Sequence, residues 1–414
     1  MSLLNTMVNT THDDRFAALR AVQCVAYQQA TAIRGIFDRA GLKPEDLRSV
    51  RDLSSLPVTS KDELLSLQRR DPPFGGFLAG DGLSMSRIFV SPGPIYEPQF
   101  AHDRDGLGFS RVFQQAGVGA GDRVLNTWSY HQVPAGLLLE AGLLACGATV
   151  IPSGPGGTEQ QARLVLELGV TCVCASTSFF MALVAALEEQ GHQLPSAWRV
   201  KTALLGGEMG DWMAKRRSLE DQYKIRTVSA YATGDFGVIG YEESGVDGYV
   251  IQPQRMVQIC DPQSGAPLPL GQAGEIVVTT LERGWPLIRF GTGDVAVGLA
   301  ETSDGMVGRI SQLCGRVGQG VKVREIFVYP RNIEEVLARV PAIERAQVVV
   351  GTTDHKDVVL VRGVLRRGHP PESAANELRD RFKQVTRVKV DAIDWVDASD
   401  LLPEAAVLVN NKQS

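Results

Sequence analysis

The sequence predicts an α/β fold in two parts. A large N-terminal domain carries parallel-rich sheets covered by helices plus a small antiparallel, barrel-like subdomain, and a small α+β domain follows. Three observations predict this. From about residue 85 to 200, short β-branched runs alternate with amphipathic stretches of helical length, the pattern of strands joined by helical crossovers. After 225, strands are joined by tight turns such as Asp261-Pro262-Gln263-Ser264-Gly265, as antiparallel sheets require. Near 315 the texture changes again, into a last stretch of about 100 residues, enough for a compact unit. The boundary is placed at Cys314 to Gln319, giving domains of residues 1–314 and 315–414.

Taken in order, residues 13–41 set Phe16, Leu19, Val22, Val25, Ile33, Ile36 and Phe37 at helical spacing before Gly41, which predicts a helical entry segment. Ser60 followed three residues later by Glu63 forms a capping-box pattern, so a new helix is expected there. Arg87 to Val90 reads as a strand and 104–117 as a helix. Strands at 123–126, 149–152 and 171–175 then alternate with helices at 135–147, 158–169 and 178–191, and Thr202 to Leu205 and Thr227 to Ala230 are further strands. Val257 to Cys260 and Gly274 to Thr280 supply the antiparallel part. The last domain reads as a strand over 321–324, a helix over 330–340, strands over 346–350 and 357–364, a helix over 371–384 and a strand over 388–395.

Composition narrows the function. Of 414 residues 44% are hydrophobic and 21% charged, enough apolar material for a large core and too much for disorder. A net charge of -5 offers no electrostatic footprint for nucleic acid or an anionic membrane. The six cysteines have no metal-binding rhythm and read as buried or free thiols of a reducing compartment. The first eleven residues lack a signal-peptide pattern, and Glu140 interrupts the longest apolar run well short of a spanning helix. A soluble cytoplasmic protein is expected.

Four polar, glycine-bearing stretches fall where strands end, the edge at which parallel sheets bind ligands. Ser91-Pro92-Gly93-Pro94-Ile95-Tyr96-Glu97-Pro98 could turn backbone N–H groups toward phosphate, or be a plain turn stiffened by its prolines. Gly206-Gly207-Glu208 and Tyr231-Ala232-Thr233-Gly234-Asp235 could admit a planar ligand, stack a base and reach Mg²⁺ or a hydroxyl, or be strand-to-loop turns with solvated acids. In Ile288-Arg289-Phe290-Gly291-Thr292-Gly293-Asp294, a carboxylate after a glycine-flanked turn could accept both hydroxyls of a ribose.

The order and spacing of these stretches, continued by Gly315-Arg316, Lys322-Val323-Arg324 and Tyr329-Pro330, resemble the adenylate-forming acyl-CoA synthetase superfamily. The segment Leu53 to Asp62, the turn Gly117 to Asp122, and Gly147-Ala148-Thr149-Val150-Ile151-Pro152 with Thr158-Glu159-Gln160 resemble its phenylacetate–CoA ligase group. The resemblance spans residues 15 to 400 and implies ATP, Mg²⁺ and coenzyme A. A carboxylate attacks the α-phosphorus of ATP, pyrophosphate leaves, and the coenzyme A thiol then displaces AMP. It also implies a small domain that is mobile about a hinge at Gln319, an aromatic acid as substrate, and the group's usual homodimer. Position by position, Tyr231 with Ala232 and Thr233 would line the adenine face, Gly207 and Glu208 its edge, and Ser91 and Gly93 the phosphates. Asp235 would hold the metal, Asp294 the ribose, and Arg316 would contact the nucleotide. Trp128, Tyr130 and His131 would form the acyl pocket, with His131 as a pocket-lining residue or a general base.

The chain departs from the group's pattern twice. The stretch 91–98 has one glycine, no lysine and a carboxylate, Glu97, where a flexible anion-binding loop is usual. After Leu402-Pro403, where the group places a lysine on the reacting phosphate, stand Glu404 and two alanines, and Lys412 is the only lysine beyond them. Three readings follow: a coenzyme A ligase, an enzyme that transfers the same adenylate-bound acyl group to a carrier-protein thiol or an amine, and a nucleotide- or acyl-CoA-binding homologue without adenylation. A Rossmann dehydrogenase is a more distant competitor on fold alone: it needs a G-x-G-x-x-G turn after the first strand of its domain, and none occurs there.

Overall fold

The computed structural model describes residues 12–80, 83–206, 212–313, 315–317, 321–324, 326–328, 330–353, 356–386, 388–403 and 405–412. Its contacts divide the chain into a unit of residues 1–206 and 213–317 and a unit of residues 207–212 and 318–414.

The larger unit begins with helices α1 (His12–Gln29) and α2 (Thr31–Ala40), so the single helical segment expected over 13–41 is broken at Ala30. Helix α3 (Lys61–Arg70) starts where the cap predicts. Ser60 Oγ accepts the Glu63 N–H at 3.1 Å, while the Glu63 carboxylate turns to Arg39 Nη2 at 3.0 Å, so the box is half made. Strands β1 (Met85–Ser91) and β2 (Ile95–Phe100) pair antiparallel as a separate two-stranded ribbon. This corrects the reading of 91–98 as a loop: Glu97 lies opposite Phe89 and Pro98 opposite Ile88.

After α4 (Phe109–Gln115), a parallel sheet is wound from β3 (Arg123–Asn126), α5 (Ala135–Ala145), β4 (Thr149–Pro152), α6 (Thr158–Glu167), β5 (Cys172–Ser176), α7 (Thr177–Glu189), β6 (Thr202–Gly206), α8 (Trp212–Tyr223) and β7 (Arg226–Val228). Helix α4 starts later than expected because the Asp103 and Asp105 carboxylates accept the N–H groups of Leu107 (3.0 Å) and Gly108 (3.3 Å) and hold 103–108 as a turn. Alternation assigns the faces. Val124, Cys172, Cys174, Leu204 and Val228 pack with Phe109, Phe113, Leu139 and Leu143 of α4 and α5. Leu125, Val173, Ala175, Ala203 and Leu205 face the other way, onto Val165, Phe180, Leu183 and Leu219 of α6, α7 and α8. Cys172 and Cys174 are thus buried core thiols, and the described cysteines are free. The strand order β4-β3-β5-β6-β7 reverses beside β3, which makes a topological switch point at its carboxyl end.

At Ser229 the chain leaves this sheet, its N–H donating to Glu242 Oε2 at 2.9 Å. It enters an eight-stranded antiparallel sheet of β8 (Ala230–Thr233), β9 (Gly237–Tyr241), β10 (Tyr249–Ile251), β11 (Arg255–Cys260), β12 (Ala273–Thr280), β13 (Phe290–Glu301), β14 (Val307–Ile310) and β15 (Gly315–Arg316). Strands β11 to β14 close on themselves because β13 pairs with both β12 and β14, which is the barrel-like part the turns predicted. The core of this sheet, including Ile259, Ile276, Val278 and Phe290, is continuous with Ile33, Ile36, Phe37, Leu53 and Leu64 of the entry segment.

The smaller unit is described by β16 (Val321–Val323), β17 (Ile326–Val328), α9 (Pro330–Ala338), β18 (Ile343–Thr353), β19 (Lys356–Leu365), α10 (Pro371–Thr386), β20 (Ala392–Trp395) and β21 (Leu408–Asn410). Its four-stranded sheet runs β20-β19-β18-β21, with Val348, Val350, Val359 and Val361 packed on Ile333, Val336, Leu378 and Phe382. The short final strand, parallel to β18, was not expected from the sequence. Among the described residues no helix is long and apolar enough to cross a membrane.

Candidate active site

Two clusters in the larger unit collect Tyr231, Asp294 and Arg316, and Asp235 and Ser91, of the residues that the sequence singled out. The first is built on a bulge in β13. Between the pairs Val277–Gly291 and Glu275–Val295, the residues Thr292, Gly293 and Asp294 oppose Ile276 alone. A bulge re-aims side chains, and this one is pinned: Thr292 Oγ1 donates to the Ile276 carbonyl (2.9 Å) and accepts the Asp294 N–H (3.1 Å), while Gly293 N donates to Glu275 Oε1 (2.9 Å). Gly293 has φ 75°, a left-handed backbone that suits glycine. The bulge presents Asp294 to Tyr231 of β8, whose hydroxyl donates to Oδ2 at 3.0 Å, and to Arg316 of β15, whose Nε meets Oδ1 at 2.8 Å. Burial, reinforced by the Asp294 charge, pushes the Tyr231 hydroxyl well above its ordinary pKa, so it remains a donor. Asp294 therefore stands inside a strand, not after a turn as expected, and Tyr231, Ala232 and Thr233 form strand β8.

The second cluster lies at the β8–β9 hairpin turn. Asp235 is buried there, and Lys61 Nζ, on the first residue of α3, meets its Oδ2 at 2.7 Å. Glu97 of β2 is 3% exposed and accepts Ser91 Oγ at 2.6 Å. A Cβ at Gly234 would come within 2.5 Å of Glu97 Oε1, so a larger residue at that turn would have to push the Glu97 carboxyl aside. Burial first, then the Asp235 charge, pushes Glu97 up to about 8, so near neutral pH it carries a proton that it can donate to Asp235. Burial opposes the Lys61 charge, but Asp235, Glu97 and Asp294 outweigh it and hold its pKa up, which links the two clusters electrostatically. Apart from Lys61 and Glu97, the Asp235 oxygens meet no donor among the described residues.

The hairpin that holds Ser91 and Gly93 is braced by Gln68 of α3, which donates to the Tyr96 carbonyl (2.7 Å) and accepts the Tyr96 N–H (3.0 Å). Trp128, Tyr130 and His131 follow β3 at the switch point. Asn126, fully buried at its carboxyl end, donates to Tyr130 Oη (2.8 Å) and the Gly136 carbonyl (2.9 Å) and accepts the Trp128 N–H (3.2 Å). Trp128 and Tyr130 are half-buried, whereas His131 is exposed. Gly207, Glu208 and Gln319 lie outside the described residues.

Sequence reasoning missed Lys61 and the burial of Glu97. Lys61 reads in sequence as the first residue of a capped helix, and no local pattern announces a partner so far along the chain. Glu97 reads in sequence only as a carboxylate in a stretch without a lysine; the structure buries it beside Asp235 and Lys61, and that burial pushes its pKa up.

No family model matches the chain. Among curated proteins, the phenylacetate-coenzyme A ligase of Aromatoleum evansii is 28% identical over 378 residues, covering 86% of this chain and 84% of that protein. The phenylacetate-coenzyme A ligase of Thermus thermophilus is 27% identical over 358 residues, covering 82% and 79%. Among solved structures, 2-hydroxyisobutyryl-CoA ligase in complex with 2-HIB-AMP and CoA aligns with a TM-score of 0.88 over 97% of this chain and 90% of that one; at 20% identity this is a likeness of fold. By sequence along most of its length and by fold along nearly all of it, the chain resembles the phenylacetate–CoA ligase group of the adenylate-forming acyl-CoA synthetases.

Proposed function

We propose that the chain activates a carboxylic acid with ATP, forming an acyl-adenylate and pyrophosphate, and then passes the acyl group to coenzyme A with release of AMP. The observation that carries this is the buried chain Tyr231–Asp294–Arg316, in which a carboxylate is held on a pinned bulge by one neutral and one cationic donor. The matching relatives bear the name of this activity over more than three-quarters of their length.

In this reading Asp294 receives the ribose hydroxyls, Arg316 faces the nucleotide from β15, Tyr231, Ala232 and Thr233 border the adenine, and Gly207 and Glu208 its edge. Ser91 and Gly93 border the phosphates. Lys61 supplies positive charge at the cluster where the 91–98 stretch supplies none, preorganised on Asp235 at 2.7 Å. Magnesium fits this donor set. Among the described residues no three acids, histidines or cysteines group as a metal cage, and Mg²⁺ is ordinarily held by one or two carboxylates together with substrate phosphates. Asp235 would hold the ion, which offsets charge on the phosphates when bound. Trp128, Tyr130 and His131 border the acyl group, which favours an aromatic acid, with His131 placed to line the pocket or take a proton. Rotation of the smaller unit's residues 318–414 about Gln319, with 315–317 staying in the larger unit, a homodimer and a cytoplasmic location complete the proposal.

The test is pyrophosphate release with ATP, Mg²⁺ and a panel of aromatic and short aliphatic acids, followed by thioester formation with coenzyme A. Product with a carrier-protein thiol or an amine, but none with free coenzyme A, would assign the acceptor otherwise. Glu97 in the hairpin favours a second reading, a homologue that binds nucleotide without adenylating. AMP binding without pyrophosphate from any acid would establish it.

A further inference from the structure

Arg289 takes no part in either cluster, yet among the described residues it is the largest fully buried side chain, 2% exposed, and it has φ 44° in the left-handed region. No carboxylate among the described residues pairs with it. Nη1 donates to the carbonyls of Ser54 (3.0 Å) and Leu56 (2.5 Å), and Nη2 to the carbonyl of Gly265 and to Cys260 Sγ (3.3 Å). Its backbone is tied as tightly. Arg289 N donates to Thr279 Oγ1 (2.9 Å), the Arg289 carbonyl accepts the Thr59 N–H (2.9 Å), and Gly291 N donates to the Thr59 carbonyl (2.9 Å), so Thr59 runs parallel to Phe290.

A buried guanidinium without an anion is a costly way to fill space, and an apolar side chain of similar size would serve stability better. What only a planar fork of donors can do here is fasten several carbonyls at once. The fastened segment, Ser54 to Thr59, ends two residues before Lys61, and the strand to which it is fastened reaches Asp294 five residues after Arg289.

We propose that Arg289 is a positioning residue, which clamps the Ser54–Thr59 segment to the start of β13 and thereby sets where Lys61 stands relative to Asp235 and Asp294. The inference rests on the ligase reading for its consequence in catalysis, since misplacing a charge by about an ångström can cost on the order of 100-fold in rate. Its geometric content stands apart from that reading.

The experiment uses the full chain with Arg289→Gly, in which glycine suits the backbone and leaves a guanidinium-shaped hole, and Arg289→Lys, which keeps a cation without the fork. The Lys61 amine is acylated with a limiting reagent and quantified by peptide mass spectrometry against Lys201, an exposed lysine paired with Asp122. The expected result for Arg289→Gly is a Lys61:Lys201 labelling ratio raised on the order of 10-fold, brought back by ethylguanidinium, with Arg289→Lys between. For turnover, kcat falls on the order of 10- to 100-fold while KM for ATP changes little, and ethylguanidinium restores it. An unchanged labelling ratio in a folded variant, or a uniform rise at every lysine that ethylguanidinium does not reverse, overturns the proposal. If Arg289→Gly is recovered unfolded, the ratio in Arg289→Lys decides by the same criterion. If the wild-type chain activates no acid, the ligase reading fails and the labelling ratio still judges the clamp.

Discussion

Replacing Glu97 by Gln tests the second cluster at its most unusual member. The carboxyl is buried against Asp235, and its pKa moves from an ordinary 4.5 up to about 8. Between those values the folded chain holds a proton that the unfolded chain has lost. The protonated Glu97 therefore contributes stability that is fully present below about pH 4.5 and is lost as pH rises through about 8. A displacement of that size corresponds to on the order of 5 kcal/mol at most. Glutamine keeps the shape, donates permanently to Asp235 and still accepts the Ser91 hydroxyl, but it has nothing to titrate.

The assay is urea unfolding of both proteins from pH 4.5 to 8.5, taking the difference in unfolding free energy at each pH so that every other titrating group cancels. Glu97→Gln is expected to match the wild type or fall slightly below it at pH 4.5 and to exceed it by several kcal/mol at pH 8.5. A difference that stays within about 0.5 kcal/mol across the range would show that Glu97 ionises as an exposed acid does, and the shared proton would have to be abandoned.

Asp294→Ala removes the charged acceptor between Tyr231 and Arg316 and should weaken AMP binding by roughly 10- to 100-fold, read by titration calorimetry. Lys61→Met leaves Asp235 and Glu97 without their cation and should lower acyl-adenylate formation on the order of 100-fold, measured by single-turnover pyrophosphate release. Ser60→Ala removes the cap of α3 and should cost about 1 kcal/mol in urea unfolding. Lys412 Nζ meets Asp357 Oδ1 at 2.7 Å within the smaller unit, so Lys412→Ala should leave pyrophosphate release within a few-fold of wild type; a loss of 100-fold or more would make Lys412 the missing cation.

Where burial repeats along one element, the fold was legible in the sequence. The parallel strands could be found because both faces are covered, so Val124-Leu125, Cys172 to Ala175 and Ala203 to Leu205 are continuous apolar runs between helical stretches. Strand β2 was hidden by Pro98, which reads as a loop residue but is tolerated in a two-stranded ribbon that leaves one side of each strand unpaired. Strand β21 escaped because three residues make no period. The stretch around Asp294 could be singled out from its residues, but its geometry could not. Glycine and threonine suggested a turn, whereas the register of β12 and β13 turns the same residues into a bulge, and register is a property of two strands. Lys61 and Arg289 were illegible for a similar reason: each acts on a partner far along the chain.

The two clusters together change what the net charge of -5 implies. In the proposed reading a site for a polyanion needs cations, yet 91–98 holds none and the segment after Pro403 holds only Lys412, which is paired with Asp357. The structure sets one cation on each of the two clusters' aspartates, Lys61 on Asp235 and Arg316 on Asp294. Such pairing has an energetic logic. A lone ammonium or guanidinium at these burial levels would be costly to desolvate before ligand arrives, and a lone carboxylate would repel the phosphates. Paired, each cation and carboxylate holds the other in place, and in the proposed reading an arriving phosphate or metal ion would redistribute charge among fixed partners without having to order them. Glu97 extends the same economy. Two adjacent carboxylates served by one lysine would leave a net negative site, and a proton on Glu97 removes that excess without another cation.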